Sequence, residues 1–263
     1  TGGLVKFSGA SNGLAITTGT VEYSGAAQTV TTGASYNTLT LSGSNTKTVG
    51  DTLTVTGTLT NSVTLDMVGY TLSAGSVANT SGTVKFSGAS NGIAISTGTV
   101  EYYGTTQAVA TGTYATLNLT AASTYTPNGA ITATAIDNGG ATNLAAILDM
   151  AGNTLTTGSI DNTGATVKFS GSSNGIVIAT GTVEYFGTTQ TVATGSAYNA
   201  LTLSNSGTKS VGATLSVTGA LTNTSTLDMV GYTLSAGSVA NTSGLVKFSG
   251  ASNGIAISTG TVE

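Results

Sequence analysis

The sequence predicts an all-β protein, a single continuous parallel β-solenoid (β-helix) built from long super-repeats of about four coils each. Three observations lead there: long-range self-similarity, short alternating apolar triplets, and a composition that folds but carries almost no charge. Only 6% of the 263 residues are charged, where ordinary globular chains approach about a quarter. Apolar residues nevertheless reach 39%, mean hydropathy is +0.25 and a single Pro appears, so the chain can bury enough surface to fold.

The repeats come first because missing them misassigns the fold. Leu4-Val-Lys-Phe-Ser-Gly-Ala-Ser-Asn-Gly13 returns at 83–92, 166–175 and 245–254. One domain, 1–263, therefore divides into closing residues 1–3, copies 4–82, 83–165 and 166–244, and a partial copy 245–263. Copies one and three agree closely, whereas copy two diverges between Thr120 and Ala146, where Pro127 and an additional Asp enter. Residues 1–22 and 242–263 nearly coincide, so the chain reads as a window on a longer array.

Within copy one the elements follow in order as Val5-Lys-Phe7, Leu14-Ala-Ile16, Val21-Glu-Tyr23, Leu39-Thr-Leu41, Leu53-Thr-Val55, Leu59, Leu65-Asp-Met67, Leu72 and Val77. Apolar and polar residues alternate over three to five positions, bounded by Gly, Asn or Ser, which is the period of a half-buried strand between turns. Such strands are too short to support hairpins with a core of their own, but stacked coils bury a continuous one. Thr20, Thr38, Thr58, Ser76 and Thr99, taken as equivalent points, are separated by steps of 18, 20, 18 and 23, which gives four coils per copy. The match of Val5–Gly9 to Val21–Gly25, at a step of 16, points to shorter coils and leaves five open.

Stacking such coils places definite residues together. Lys6/Glu22, Lys85/Glu101, Lys168/Glu184 and Lys247/Glu263, each 16 apart, form outward pairs that set register. A catalytic carboxylate–lysine pair is the sharper alternative, disfavoured by its fourfold recurrence on a solvent-facing strand. Phe7/Tyr23, Phe86/Tyr102 and Phe169/Tyr185 stack as a buried aromatic column. Asn61/Asn79 and Asn223/Asn241 suit an internal amide ladder. Asn79-Thr-Ser81 and Asn241-Thr-Ser243 also match the glycan acceptor pattern, the competing reading.

The chain has no His, Cys, Trp or Arg, which removes the usual general base, thiol nucleophile, imidazole and thiolate metal ligands, and phosphate fork. A net charge of −4 with six scattered Lys disfavours nucleic acid as a partner. Asp66, Asp149 and Asp228 recur once per copy, about 19 Å apart along a four-coil axis, beyond the reach of one ion. Metal sites, cofactors and catalytic residues are therefore all expected to be absent, with Asp137, Asp149 and Asp161 of copy two the place where a carboxylate pair stays open. No apolar run matches a membrane helix, so membrane insertion of this segment is not expected.

The phrase Leu53-Thr-Val-Thr-Gly-Thr-Leu-Thr-Asn-Ser-Val-Thr-Leu-Asp-Met-Val-Gly-Tyr-Thr-Leu-Ser-Ala-Gly-Ser-Val-Ala-Asn79 resembles the repeat regions of large bacterial surface adhesins, both filamentous-haemagglutinin-like proteins and autotransporter passengers. The resemblance is one of composition and rhythm, spans the chain through its repeats and transfers no functional residue. It implies a right-handed parallel β-helix, extracellular or on the cell surface, serving as stalk, adhesin or filament. Expected partners are further copies of the chain, end to end or in a longer covalent array, and surface glycans. A polysaccharide-binding or polysaccharide-cleaving β-helix with a site in 120–161 is the alternative. An ice-binding face lacks a uniform Thr-x-Thr array, and an outer-membrane barrel needs longer strands.

Overall fold

The computed structural model describes residues 2–10, 13–140, 144–250, 255, 261 and 262, which form a β-solenoid of about thirteen turns with no α-helix among them. Every strand pairing among the described residues is parallel, as stacking of successive turns requires. At about 4.8 Å between strands, thirteen turns make a rod of roughly 60 Å.

Alternation decides which side chains enter. In β2 (Thr20–Tyr23), Val21 and Tyr23 are buried while Thr20 and Glu22 face outward, and the same pattern governs the equivalent strands at 83–86, 99–102, 166–169 and 182–185. The inward residues join into one continuous apolar core.

Each turn crosses three faces. In copy one, β1 (Leu4–Phe7), β2, β4 (Thr38–Leu41) and the second half of β6 (Leu53–Asn61) stack on the first face, ending at the second half of β8 (Leu72–Ala78). The second face stacks β3 (Gln28–Val30), β5 (Thr46–Val49) and β7 (Thr64–Asp66). A third holds Tyr36 against Val55 and Leu53–Val55 against Leu72–Ala74.

The register resolves the coil count. From Leu4 the first face is revisited at Thr20, Thr38, Thr58 and Ser76, so the successive turns have lengths of 16, 18, 20 and 18. The chain then moves on by one face, and β9 (Thr83–Phe86), which opens copy two, stacks on β7 and not on β8. A copy is thus four turns plus one face, so three copies complete thirteen turns. The step of 23 from Ser76 to Thr99 is corrected accordingly: it joins a one-face advance to the turn that pairs Thr83 with Thr99. Copy two repeats the scheme with turn lengths of 16, 17, 19 and 24, its extra length falling in the last turn, Ala135 to Ser159.

One expected element does not form. Leu14-Ala-Ile16 and its equivalent Ile93-Ala-Ile95 alternate as a strand would but lie outside any strand. They fall in the shortest turn, from Leu4 to Thr20 and from Thr83 to Thr99, which is too short to lay a strand on every face as well as three corners. Gly13, Gly92 and Gly175 sit in this turn because a Cβ there would collide with the phenol oxygens of Tyr23, Tyr102 and Tyr185.

Candidate functional site

The outward charges assemble as paired. Lys6 meets Glu22 at 3.0 Å, Lys85 meets Glu101 at 3.0 Å and Lys168 meets Glu184 at 3.1 Å. Lys247 ends β26 (Leu245–Lys247), but Glu263 and so that fourth pair lie outside the described residues. Each described glutamate also accepts a hydroxyl from the next turn: Ser42 at 2.6 Å, Thr120 at 2.8 Å and Ser204 at 2.6 Å. The Ser42 hydroxyl, followed by Lys6, holds the Glu22 carboxyl below its ordinary value. Lys85 additionally lies 4.8 Å from the Tyr103 ring centre and Lys168 4.7 Å from that of Phe186.

The copy-period aspartates acquire a role that spacing alone did not reveal. Asp66 is the strand neighbour of Lys85, Asp149 of Lys168 and Asp228 of Lys247. Each therefore stands on the last strand that its copy lays on that face, beside the lysine that opens the next copy, giving an acid–lysine–acid column in Asp66/Lys85/Glu101 and Asp149/Lys168/Glu184. Asp66, Asp149 and Asp228 also cap their own corners, accepting the backbone N–H of Val68, Ala151 and Val230 at 2.9, 2.9 and 3.0 Å.

Inside, the aromatic column forms with ring centres 5.7, 5.8 and 5.9 Å apart for Phe7/Tyr23, Phe86/Tyr102 and Phe169/Tyr185. A second tyrosine completes each: Tyr23, Tyr102 and Tyr185 meet Tyr36, Tyr114 and Tyr198 at 3.0, 3.2 and 3.0 Å. Tyr36, Tyr114 and Tyr198 donate onward to the carbonyls of Thr31, Ala110 and Ala193, while the first tyrosines accept the N–H of those same residues. Burial pushes the phenol pKa of Tyr36, Tyr102, Tyr114, Tyr185 and Tyr198 above its ordinary value.

The asparagines form the amide ladder. Asn61 donates to Asn79 and Asn223 to Asn241, both at 2.8 Å, and copy two adds Asn138 to Asn162 at 2.7 Å. Asn79 and Asn241 are fully buried and hydrogen-bonded in the ladder, which leaves no room for a glycan on either amide and argues against the glycan-acceptor reading.

Lys47 and Lys209 escaped notice in the sequence, although the alternation of Thr46-Lys-Thr-Val49 already turns the lysine inward. Both are fully buried. The Lys47 ammonium donates to the carbonyls of Gly25, Ala26 and Ser44 at 2.6, 2.6 and 3.0 Å, and Lys209 donates to Gly187. Burial pushes both amines below their ordinary value. Copy two places Tyr125 in this slot.

Of the three aspartates of copy two, the structure brings together Asp137 and Asp161, register partners on β14 (Ile131–Asn138) and β16 (Leu155–Asp161), and puts Asp149 on another sheet. Burial, then Asp161, pushes the Asp137 carboxyl up. Among the described residues no group of three or more acidic side chains is arranged to hold a metal ion. No described helix is long and apolar enough to cross a membrane. An open groove of about 660 Å³ runs between β16 and Ile176–Ala179, and neither Asp137 nor Asp161 lines it. No family model, curated protein or solved structure matches the chain.

Proposed function

We propose that this chain is a length-building rod of a bacterial surface filament or adhesin stalk, exported from the cell, wound right-handed and without catalytic turnover. The observation that carries this reading is the junction between copies. Asp66 beside Lys85 recurs as Asp149 beside Lys168 and Asp228 beside Lys247, each time one face further around the rod. Any copy therefore presents to its successor the surface that its predecessor presented to it, and repeats add without angular mismatch. Functional chemistry spread over near-identical units builds length and surface rather than one site. The partner is then more of the same solenoid, in one longer chain or docked end to end, with surface glycans as the ligands of its outer faces.

Electron microscopy of chains carrying three, six and nine copies tests this. Rod length should rise linearly by about 20 Å per copy, from four and one-third turns at about 4.8 Å; particles that do not lengthen would sink the reading. Asp137 beside Asp161 favours the competing reading of a polysaccharide-cleaving site in copy two. Release of reducing ends from acidic polysaccharides, lost in Asp137→Asn, would establish that reading in place of the rod.

A further inference from the structure

β16 is the last strand of its eight-stranded sheet: it pairs with β14 on one side, and no described strand pairs with it on the other. The segment facing that open edge, Ile176–Ala179, belongs to the short turn from Thr166 to Thr182 and forms no strand. Between them lies the 660 Å³ groove. Its floor includes Ile160 and Ile176, both half-buried, whereas the inward residues that precede Ile160 in its column, Leu117 and Ile136, are buried. The rest of the lining is hydroxyl, small aliphatic and main chain, with no charged side chain and no aromatic ring.

The geometry points to this groove as a docking slot for an extended, uncharged peptide that adds a strand to β16. Main-chain N–H and C=O groups on an open sheet edge are the recognition element of strand addition, and alternate side chains fill pockets on one side. From Leu155 to Ile160 the edge runs about 17 Å at ~3.3 Å per residue, the length of a short strand. The slot also continues the strand columns of the solenoid itself. Those columns are filled by short Thr/Val/Leu segments, so the chemistry that fits is that of the chain's own strands. An oligosaccharide is disfavoured because the lining offers no aromatic face on which a sugar ring could stack.

The test uses the whole chain and a fluorescein-labelled, end-capped peptide, Leu-Thr-Val-Thr-Gly-Thr-Leu-Thr, the sequence of residues 53–60. β8 pairs only with β6 among the described strands and faces the strand-free Ile93–Ser96, so it offers the same edge one copy earlier, and anisotropy should report saturable binding at more than one place per chain. Ala179→Trp, at the exposed rim of the groove, should lower the number of peptides bound per chain by one while leaving the circular dichroism unchanged. Ser96→Trp, at the equivalent rim beside β8, should remove one in the same way, whereas Thr191→Trp, at an exposed position of β19 (Gln190–Val192), should remove none. A peptide with Pro at alternate positions, unable to donate along the edge, should fail to bind. Absence of saturable binding, or an unchanged number of bound peptides in Ala179→Trp, overturns the proposal. So does a neutral oligosaccharide binding at the groove in place of the peptide and lost in Ala179→Trp.

Discussion

Removing the Asn79 side chain should cost more than any surface change, and the structure says why. Its oxygen accepts from Asn61 Nδ2 at 2.8 Å and its nitrogen donates to the carbonyl of Thr99 at 3.0 Å, all inside the rod. Asn79→Ala deletes two buried hydrogen bonds, worth about 0.5–1.5 kcal/mol each, and leaves the Thr99 carbonyl without that donor, a further ~1 kcal/mol. Asn61 Nδ2 keeps the Val63 carbonyl at 2.9 Å, which limits the damage on its side. The sum is about 3 kcal/mol. For a domain of this size that corresponds to a fall in Tm of roughly 6–12 °C. Urea titration followed by far-UV circular dichroism should show a lower midpoint with unchanged slope. Asn61→Ala combined with Asn79→Ala should cost less than the two single changes together, because the shared bond is lost only once. A cost below about 0.5 kcal/mol, or strict additivity, would refute the ladder as a stabilising element.

Gly92→Ala would drive a methyl into the Tyr102 hydroxyl and should destabilise by about 1–3 kcal/mol through overpacking, measured by thermal melting. Lys47 and Lys209 should acylate at least tenfold more slowly than Lys6, whose side chain is 57% exposed; peptide mapping after brief treatment with an amine reagent reads this directly. The Asp137 carboxyl lies above its ordinary value in the fold, so the folded chain holds its proton where the unfolded chain has lost it, and the group's contribution falls as pH rises through that window. Asp137→Asn should accordingly stabilise at neutral pH, and the advantage should disappear once the pH drops below the ordinary carboxylate value; a pH-independent difference would contradict this. Deleting residues 83–165 should leave a folded rod, because Thr166–Phe169 can stack on Thr64–Asp66 as Thr83–Phe86 does now, whereas deleting only 83–90, half of the turn that pairs Thr83 with Thr99, should fail in circular dichroism and melting because the chain no longer returns to the same face.

Much of this molecule is legible in its sequence because a solenoid stacks like on like. The period-2 pattern of Thr-Val-Glu-Tyr puts Val and Tyr inside, and the sequence match that relates Lys6 to Glu22 is itself a register statement, since both residues occupy the same point of successive turns. The Phe/Tyr column and the Asn61/Asn79 ladder follow from the same logic of sequence equivalence. What escaped are the contacts between residues that are not equivalent. Tyr36 meets Tyr23 across the interior from a different face, and no repeat match links them. Asp66 stands beside Lys85 only because a copy is four turns plus one face, a remainder that depends on where corners fall and not on any motif. The shortest turn crosses two faces without strands because of its length, leaving β8 and β16 with open edges that their alternating sequence gives no sign of. Sequence determined which side of each strand is buried, because alternation is local; only the tertiary structure decided which faces coincide, because that is set by the summed length of every turn and corner between them.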